Sequence, residues 1–201
     1  MGAVVVLHVS DVHCADDRLA SILERAPAHD VVAATGDFEC LSTVDTLLSR
    51  ARAPVVAVTG NMDDVSIGRR LREAGVLVEG RYRLVGGLAF AGVGGLDPAA
   101  GMELLASREP PGGAPLVLLS HHPPKGVVDR AFLGVHAGLR ELRRLVESLQ
   151  PAAHLCGHIH EARGVGRLGG TLVVNPGPAK RGYYAIVEVG PGGATARLGR
   201  A

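Results

Sequence analysis

Aspartate, histidine and asparagine recur in this 201-residue sequence directly after short apolar runs. Each of the runs VVVLHVS, VVAAT, PVVAVT, PLVLLS and AAHLC is followed within four residues by one or two of them. Imidazole and carboxylate ligands together suit Zn, Mn, Fe or Ni better than Ca or a thiolate-bound ion. Seven donors exceed what one tetrahedral ion needs, and they suit two ions that share a bridging carboxylate. The seven donors are Asp11, His13, Asp37, Asn61, His121, His158 and His160.

The apolar runs also predict the elements that carry these side chains. Strand and helix patterns alternate through the first third of the chain, which is typical of parallel crossovers in a sheet covered on both faces. Because ligands of parallel-sheet proteins bind at the carboxyl ends of the strands, we expect the donors to meet in one crevice. Any one of them alone reads equally as a turn or cap residue, so the prediction rests on the ordered set. The predicted strands are 3–10, 30–35 and 54–59, and the predicted helices are 16–26, 42–51 (capped by Ser42) and 65–75.

The remainder of the chain predicts a second sheet. Residues 96–115 are rich in Pro and Gly and predict a long loop opened by Asp97. The last forty residues read as consecutive antiparallel strands with Gly-rich turns. We therefore predict an α/β fold in a single domain, residues 1–201, with two packed sheets, the second largely antiparallel, and helices outside. The other predicted elements are a hairpin at 81–95, strands at 114–120 and 152–156, and an amphipathic helix at 137–150.

The charge balance excludes some classes of partner. Lys and Arg total 21 and Asp and Glu total 20, so the formal net charge is +1. This value argues against a general electrostatic attraction to nucleic acid or to a membrane surface. No apolar stretch approaches the roughly 18 residues of a membrane span. We expect a cytoplasmic protein with no membrane partner and no strong sign of nucleic-acid binding, and its capacity to form homo-oligomers stays open.

The cysteines are three, at positions 14, 40 and 156. Their number is odd and their spacings are wide, so the pattern predicts no disulfide framework and no zinc knuckle. Free thiols are the rule in cytoplasmic proteins. We expect Cys14 and Cys40 to be small buried apolar residues and Cys156 to lie in the core.

Side-chain amides are scarce in this chain. Asn61, Asn175 and Gln150 are the whole set. Amides are thermolabile, so their depletion favours a thermophilic origin, and an Arg- and Ala-rich coding bias explains it equally well. Both asparagines stand beside Gly or Pro just after apolar runs, which indicates that they are kept for their chemistry.

Five short motifs occur in order along the chain: DVH at 11–13, GD at 36–37, GNMD at 60–63, SHHPP at 120–124 and CGHIH at 156–160. Together they resemble the motifs of the calcineurin-like metallophosphoesterase superfamily. The segment NPGP at 175–178 also looks like the closing segment of that family. The resemblance covers nearly the whole chain and implies a four-layer αββα sandwich of two mixed sheets flanked by helices. It further implies a dinuclear metal-dependent phosphoesterase in which a metal-bound hydroxide attacks phosphorus.

The resemblance also implies a role for each donor. Asp11, His13 and His160 would hold one metal, Asn61, His121 and His158 the other, and Asp37 would bridge the two. Asp11, Asp37, Asn61 and His121 would serve catalysis through the metals. The expected ions are divalent, Mn first, with Fe, Ni, Zn and Mg as alternatives. We expect His122, Lys180 and Arg181 to contact the phosphate-ester substrate, because Arg and Lys suit phosphate oxygens.

Met62 departs from the pattern of the family. Many members carry histidine at this position, where it is thought to protonate the leaving group, and methionine has no proton to give. General acid catalysis contributes typically 10²–10⁴-fold, so we predict a preference for phosphodiesters or activated monoesters. His122 and Cys14 are the nearest substitute donors by sequence. We expect Asp63 to orient the GNMD block and Asp64 to cap the following helix.

Other functions compete with this prediction. A non-catalytic metal-binding or scaffold module could use the same fold, and the missing histidine slightly favours it, whereas the complete donor set argues against it. A nuclease needs a basic groove, for which a net charge of +1 gives little sign. A metallo-β-lactamase-type hydrolase fits poorly because the clustered HxHxDH run is missing.

Overall fold

A computed structural model describes residues 2–201. It contains two β-sheets packed face to face with helices on both outer faces, so the predicted four-layer α/β sandwich is confirmed. The strands are β1 Val4–Val9, β2 Val31–Thr35, β3 Val55–Val58, β4 Tyr82–Val85, β5 Leu88–Val93, β6 Leu116–Ser120, β7 Ala153–Leu155, β8 Gly164–Leu168, β9 Thr171–Asn175, β10 Tyr183–Gly190 and β11 Gly193–Arg200. The helices are α1 Asp16–Arg25, α2 Leu41–Arg50, α3 Val65–Glu73, α4 Pro98–Ala106 and α5 Arg140–Leu149.

Both sheets are mixed. The first has the order β11-β10-β1-β2-β3, with β1, β2 and β3 parallel and β10 antiparallel to β1 and β11. The second has the order β4-β5-β6-β7-β9-β8, with a parallel centre and antiparallel edge pairs. The prediction of a largely antiparallel second sheet is therefore wrong. Helical crossovers join β5 to β6 and β6 to β7, which parallel pairing requires, and β10 and β11 belong to the first sheet.

The central strands are buried on both faces, as expected for strands that lie between two layers, whereas the edge strands β4, β8 and β11 are partly exposed. Along β1, Val6 faces the core between the sheets, whereas Leu7 and Val9 face the helices. Along β2, Val31 and Ala33 face inward and their neighbours face outward. This alternation of period two leaves the strand ends as the places where polar side chains can meet.

The outer helices cover the sheets with apolar stripes. Leu19, Ile22 and Leu23 of α1 are buried against the first sheet, with the i, i+3, i+4 spacing of one helical face. On the second sheet α5 buries Leu142 and Val146 in the same way. Within residues 2–201, none of the helices is both long and apolar enough to cross a membrane.

Two local predictions about helices are corrected. Residues 96–115 are not one long loop, because α4 begins at Pro98 and the carboxylate of Asp97 accepts a hydrogen bond from the Ala100 N–H (3.0 Å). Proline at the first helical position after an aspartate cap is a start signal that the surrounding Pro and Gly obscured. Ser42 is not the cap of α2, which begins one residue earlier, at Leu41.

A disulfide joins Cys14 to Cys40, so the prediction of free, buried thiols at these positions is wrong. The two Cα atoms lie 5.3 Å apart, and Cys14 is exposed. Strands β1 and β2 are parallel neighbours, so the segments that follow them run side by side, and the Cys14 N–H donates to the Phe38 carbonyl (3.1 Å). Linear spacing does not reveal this contact. Cys156 is buried and free, as predicted.

Two histidines are buried as neutral side chains. His8 Nε2 lies 2.9 Å from Thr35 Oγ1, and His154 Nε2 lies 2.6 Å from Ser120 Oγ. The Ser120 hydroxyl donates to the His122 carbonyl and therefore accepts from His154. Within residues 2–201 the Nδ1 atom of each histidine has no partner. Burial lowers the pKa of His8 and of His154 from 6.5 to about 3.

Removal of the disulfide should destabilise the fold. Cys14→Ser/Cys40→Ser is expected to lower the free energy of unfolding by about 3 kcal/mol, because the bridge closes a loop with a sequence separation of 26 residues. Urea denaturation with and without a reducing dithiol measures the change. The wild type in dithiol should match the variant, and the variant should not respond to dithiol. A wild type indifferent to reduction would contradict the prediction.

The buried histidines should make the metal-free fold acid-sensitive. Their pKa values are lower in the folded than in the unfolded chain, so between pH 6.5 and about 3 only the unfolded chain gains these protons. Stability should be independent of them above pH 6.5 and fall below it by about 1.4 kcal/mol per pH unit for each histidine. Denaturant titrations at pH 7 and pH 5, with chelator present, measure how much unfolding free energy is lost between the two pH values. His154→Gln should lose less than the wild type, because one of the two titrating histidines is absent. Equal losses in the two proteins would contradict the prediction.

Candidate metal centre

Backbone hydrogen bonds join the segment after β1 to the segment after β2. The Asp11 N–H donates to the Gly36 carbonyl (3.0 Å), and the His13 N–H donates to the Asp37 carbonyl (2.9 Å). These bonds continue the parallel pairing of β1 and β2 beyond the sheet edge. These backbone contacts alone place Asp11 and His13 beside Asp37.

Left-handed backbone conformations concentrate at this edge of the sheets. Nine non-glycine residues in the described chain have positive φ angles, and six of them belong to the segments that carry the donors. Such conformations are costly for residues with a Cβ and are found disproportionately at functional sites. The six are Asp11, His13, Cys14, Asp37, Glu39 and His158.

Two glycines allow the donor segments to approach closely. A Cβ on Gly60 would lie 2.0 Å from Asp37 Oδ1. A Cβ on Gly157 would lie 1.8 Å from Ser10 Oγ and 2.5 Å from Asp11 Oδ2. Only a residue without a side chain permits this approach, so Gly60 and Gly157 allow Asn61 and His158 to follow directly on a close contact between segments.

The first group of donors consists of Asp11, His13 and His160. His13 Nε2 lies 3.2 Å from His160 Nε2, which lies 3.4 Å from Asp11 Oδ1. Two ligand atoms that are each about 2.1 Å from one ion lie about 3.0–3.4 Å apart at angles between 90° and 110°. The spacing of this group therefore fits the coordination sphere of a single ion.

The second group consists of Asn61, His121 and His158. His121 Nε2 lies 2.8 Å from Asn61 Oδ1 and 3.2 Å from His158 Nδ1. The donors are one amide oxygen and two imidazole nitrogens. The 3.2 Å separation lies in the range given above and the 2.8 Å separation corresponds to an angle slightly below 90° at the ion, so both are compatible with one ion.

Asp37 lies between the two groups. Its Oδ1 is 3.4 Å from His121 Nε2, and its Oδ2 is 3.9 Å from His13 Nε2. One carboxylate oxygen thus faces each group, as a bridging ligand requires. Asp37, Asp11 and His121 also form a set whose ligand atoms all lie within 4.8 Å of one another. The Met62 N–H donates to Asp37 Oδ1 (2.9 Å) and holds the carboxylate in this orientation.

Two hydrogen bonds select the tautomers of the histidines. His121 Nδ1 lies 2.8 Å from the Thr35 carbonyl, which can only accept, so Nδ1 carries the proton and Nε2 presents a lone pair. His13 Nδ1 lies 2.6 Å from Glu39 Oε1, which leaves its Nε2 free in the same way. Partners of this kind orient metal-binding histidines and raise their basicity. The motifs did not identify Glu39, although a carboxylate two residues after Asp37 was the available signal.

The electrostatics of the groups favour the protonation states that metal binding needs. Burial lowers the pKa of His158, and the neighbouring His121 lowers it further. Burial alone would raise the pKa of Asp11, but the hydrogen bond with His160 and the field of His121 outweigh it, so the pKa of Asp11 is lowered. His158 is thus favoured as a neutral ligand and Asp11 as an anion.

Two residues brace the donor segments. Asp63 accepts hydrogen bonds from the Gly60 N–H and the Glu39 N–H, both at 2.7 Å, so its predicted orienting contact with the block is present. The buried Asn175 donates to the Ile159 carbonyl (2.9 Å). It thereby fixes the turn between His158 and His160.

Asp64 caps α3, as predicted. Its carboxylate accepts hydrogen bonds from the Ser66 N–H (2.8 Å) and the Ile67 N–H (3.1 Å). The helix therefore begins immediately after the GNMD block.

The predicted substrate contacts lie at the margin of the donors. The ring of His122 lies 4.4 Å from that of His158, centroid to centroid, and burial lowers the pKa of His122 to about 3. The Lys180 N–H donates to the Asp11 carbonyl (3.4 Å), and the side chains of Lys180 and Arg181 are exposed. The structure thus brings the seven predicted donors together and leaves the substrate roles of these three residues as predictions.

Comparison with known proteins agrees with this geometry. The family description "Calcineurin-like phosphoesterase superfamily domain" matches residues 4–190. A UPF0046 protein of Caenorhabditis elegans is 41% identical over 66 residues, which are 33% of this chain and 22% of that protein. An uncharacterized protein of Methanocaldococcus jannaschii is 25% identical in an alignment of 156 positions that covers 65% of this chain and 66% of that protein. The chain thus spans less than two thirds of the length of either curated relative.

The fold also recurs among solved structures. The crystal structure of TT1561 from Thermus thermophilus has a TM-score of 0.73 at 18% identity, and the match covers 98% of this chain and 99% of that one. At this level of identity the likeness concerns the fold alone.

Loss of the carboxylate beside His13 should weaken metal binding. Glu39→Gln is expected to reduce the affinity for Mn²⁺ by about 10- to 100-fold, because the neutral amide accepts more weakly than the carboxylate and can also present its NH2 to His13 Nδ1, so the tautomer of His13 is no longer fixed. Isothermal titration calorimetry measures the change. Glu161→Gln is the matched control, since this exposed carboxylate follows His160 and makes no hydrogen bond or ion pair within residues 2–201. Equal losses in both variants would show a general charge effect instead.

Proposed function

Because this chain belongs to the calcineurin-like phosphoesterase superfamily, we propose that it is a dinuclear metal-dependent phosphodiesterase. The observation that supports this most strongly is the arrangement of seven donors in two groups with Asp37 between them. Each group has the atom types and separations that one divalent ion takes.

The residues would divide as the two groups do. Asp11, His13 and His160 would hold one ion, and a separate set would hold the other, with Asp37 shared. When bound, two divalent ions lower the pKa of water and neutralise charge on phosphoryl oxygens. All donors are oxygen or nitrogen, so we propose Mn²⁺ as the working ion, ahead of Fe, Ni, Zn and Mg. The second set is Asn61, His121 and His158.

The charge of the centre suits a phosphate ester. Two divalent ions contribute four positive charges, and Asp11 and Asp37 contribute two negative charges, which leaves two positive. Asn61 contributes an oxygen without adding charge. A centre of this sign raises the local concentration of an anionic ester. Lys180 and Arg181, exposed beside the Asp11 segment, extend the same positive field.

The preference for diesters follows from Met62. Its backbone N–H holds Asp37, so its side chain stands beside the centre without a proton to give. Cys14 cannot substitute as an acid, because its sulfur is in the disulfide. The substrates we propose are therefore phosphodiesters, or monoesters, whose leaving groups depart without protonation.

The methionine also supports an alternative. A metal-binding scaffold that recruits a partner would need no general acid, and this option is distinguished by binding of two metal equivalents without hydrolysis of any phosphate ester. A nuclease is distinguished by cleavage of DNA in addition to small diesters. The Cys14–Cys40 disulfide removes the free-thiol argument for a cytoplasmic location. We still propose that location, with no membrane partner, because the scarcity of amides favours a thermophilic origin and intracellular proteins of hyperthermophiles often hold disulfides.

The rate should depend steeply on the leaving group. In a series of aryl phosphodiesters assayed with Mn²⁺, kcat/KM should fall sharply as the pKa of the leaving phenol rises, and chelator should abolish turnover. Met62→His is expected to accelerate the esters with poor leaving groups by about 10²-fold and so flatten the series. Met62→Leu is the matched control, since it changes the side chain without adding a proton donor. A flat wild-type series would refute the role given to Met62.

A further inference from the structure

Exposed apolar side chains lie on the segments that carry the donors and on segments packed against them. Four of the large hydrophobic residues that are exposed in the described chain lie on the segments around the GNMD block. We call these four the apolar rim. The rim consists of Leu41 (46% exposed), Met62 (59%), Val65 (71%) and Leu96 (45%).

Met62 adjoins the centre directly. Its N–H donates to Asp37 Oδ1 at 2.9 Å, and it follows Asn61, whose Oδ1 lies 2.8 Å from His121 Nε2. The backbone at Met62 is therefore held against the shared carboxylate. The Met62 side chain itself is mostly exposed.

Leu41 and Val65 extend the rim on one side. They are the first residues of α2 and α3, which pack side by side through the Arg70–Asp45 ion pair (2.8 Å). Near the starts of these helices, the Glu39 N–H donates to the carboxylate of Asp63. Both first residues therefore point out at the same end of the molecule as the donors.

Leu96 extends the rim on another side. The preceding Gly95 donates its N–H to the Thr59 carbonyl (2.7 Å), and a Cβ at Gly95 would lie 2.4 Å from the Asn61 nitrogen. The segment after β5 is thus packed directly against the GNMD block.

We infer that the apolar rim binds a nonpolar group, aryl or alkyl, of the phosphodiester substrate. This inference rests on the proposed function. Ligand sites combine a few placed polar groups with apolar walls, and exposed apolar side chains on the segments that adjoin a polar centre provide this combination. The thioether of Met62 suits contact with an aromatic ring. The rim thus defines the substrate as a diester with a nonpolar substituent directed toward α2 and α3.

Binding of two phosphonates to the Mn²⁺-loaded protein tests the inference without turnover. Phenylphosphonate and methylphosphonate carry the same anionic head and differ in the nonpolar group. Calorimetry should show the phenyl compound binding about tenfold more tightly to the wild type, from the apolar area it covers. In Met62→Ser/Val65→Ser this preference should fall to near one, and in Met62→Leu it should persist.

Leu84→Ser is the matched control, because Leu84 is 62% exposed on β4, away from the donors, and should keep the preference. Equal binding of the two phosphonates by the wild type, or an unchanged preference in the double serine variant, would overturn the inference. So would a wild-type dimer that this variant converts to monomer, since the rim would then be an interface between copies. If the protein hydrolyses diesters but shows no preference for a phenyl group, the inference about the apolar rim is wrong and the proposed function is retained. Absence of both hydrolysis and phosphonate binding would remove the proposed function with it.

Discussion

The meeting of the two sheets at their carboxyl ends is the constraint on which the rest of the structure depends. Neither sheet holds a complete set of donors, because each proposed ion takes ligands from both. Asp11 and His13 come from the first sheet and meet His160 from the second, and the other group is divided in the same way. Several hydrogen bonds cross between the sheets at this place, and two of them involve backbone groups beside the donors. His121 Nδ1 donates to the Thr35 carbonyl, and the His158 N–H donates to the carboxylate of Asp11 at 3.1 and 3.2 Å.

Much of the sandwich and the donor set could be predicted because their causes are local. Apolar runs make buried strands, stripes such as that of α1 make covering helices, and Gly60 and Gly157 precede donors because no Cβ fits there. The features that were not predicted depend on which strands become neighbours. The parallel centre of the second sheet, the disulfide and the contact between Glu39 and His13 all join segments that are distant in the sequence. The helix α4 was hidden for a different reason, since its start signals lie in a stretch rich in helix breakers.

Substitution at one position can alter both chemistry and recognition. The backbone of Met62 contributes to the centre through its N–H, and any residue other than proline could supply that bond. The side chain is therefore free to vary without disturbing the bridging carboxylate. In this chain an apolar side chain occupies the place, and Leu41, Val65 and Leu96 expose further apolar surface on the same or neighbouring segments. The same side chain, that of Met62, therefore accounts both for the missing proton donor and for part of the exposed apolar surface.

The disulfide acts on the residues beside it as well as on the fold. His13 precedes one cysteine and Glu39 precedes the other, so the covalent bond lies next to the hydrogen-bonded pair that prepares His13 for a cation. Tethering the two segments reduces the number of arrangements that an empty site can sample. Binding of an ion then costs less conformational entropy. The donors are expected to behave as a pre-organised multidentate ligand. We therefore expect the Cys14–Cys40 disulfide, which is not among the proposed ligands, to favour binding of an ion by the donors beside it.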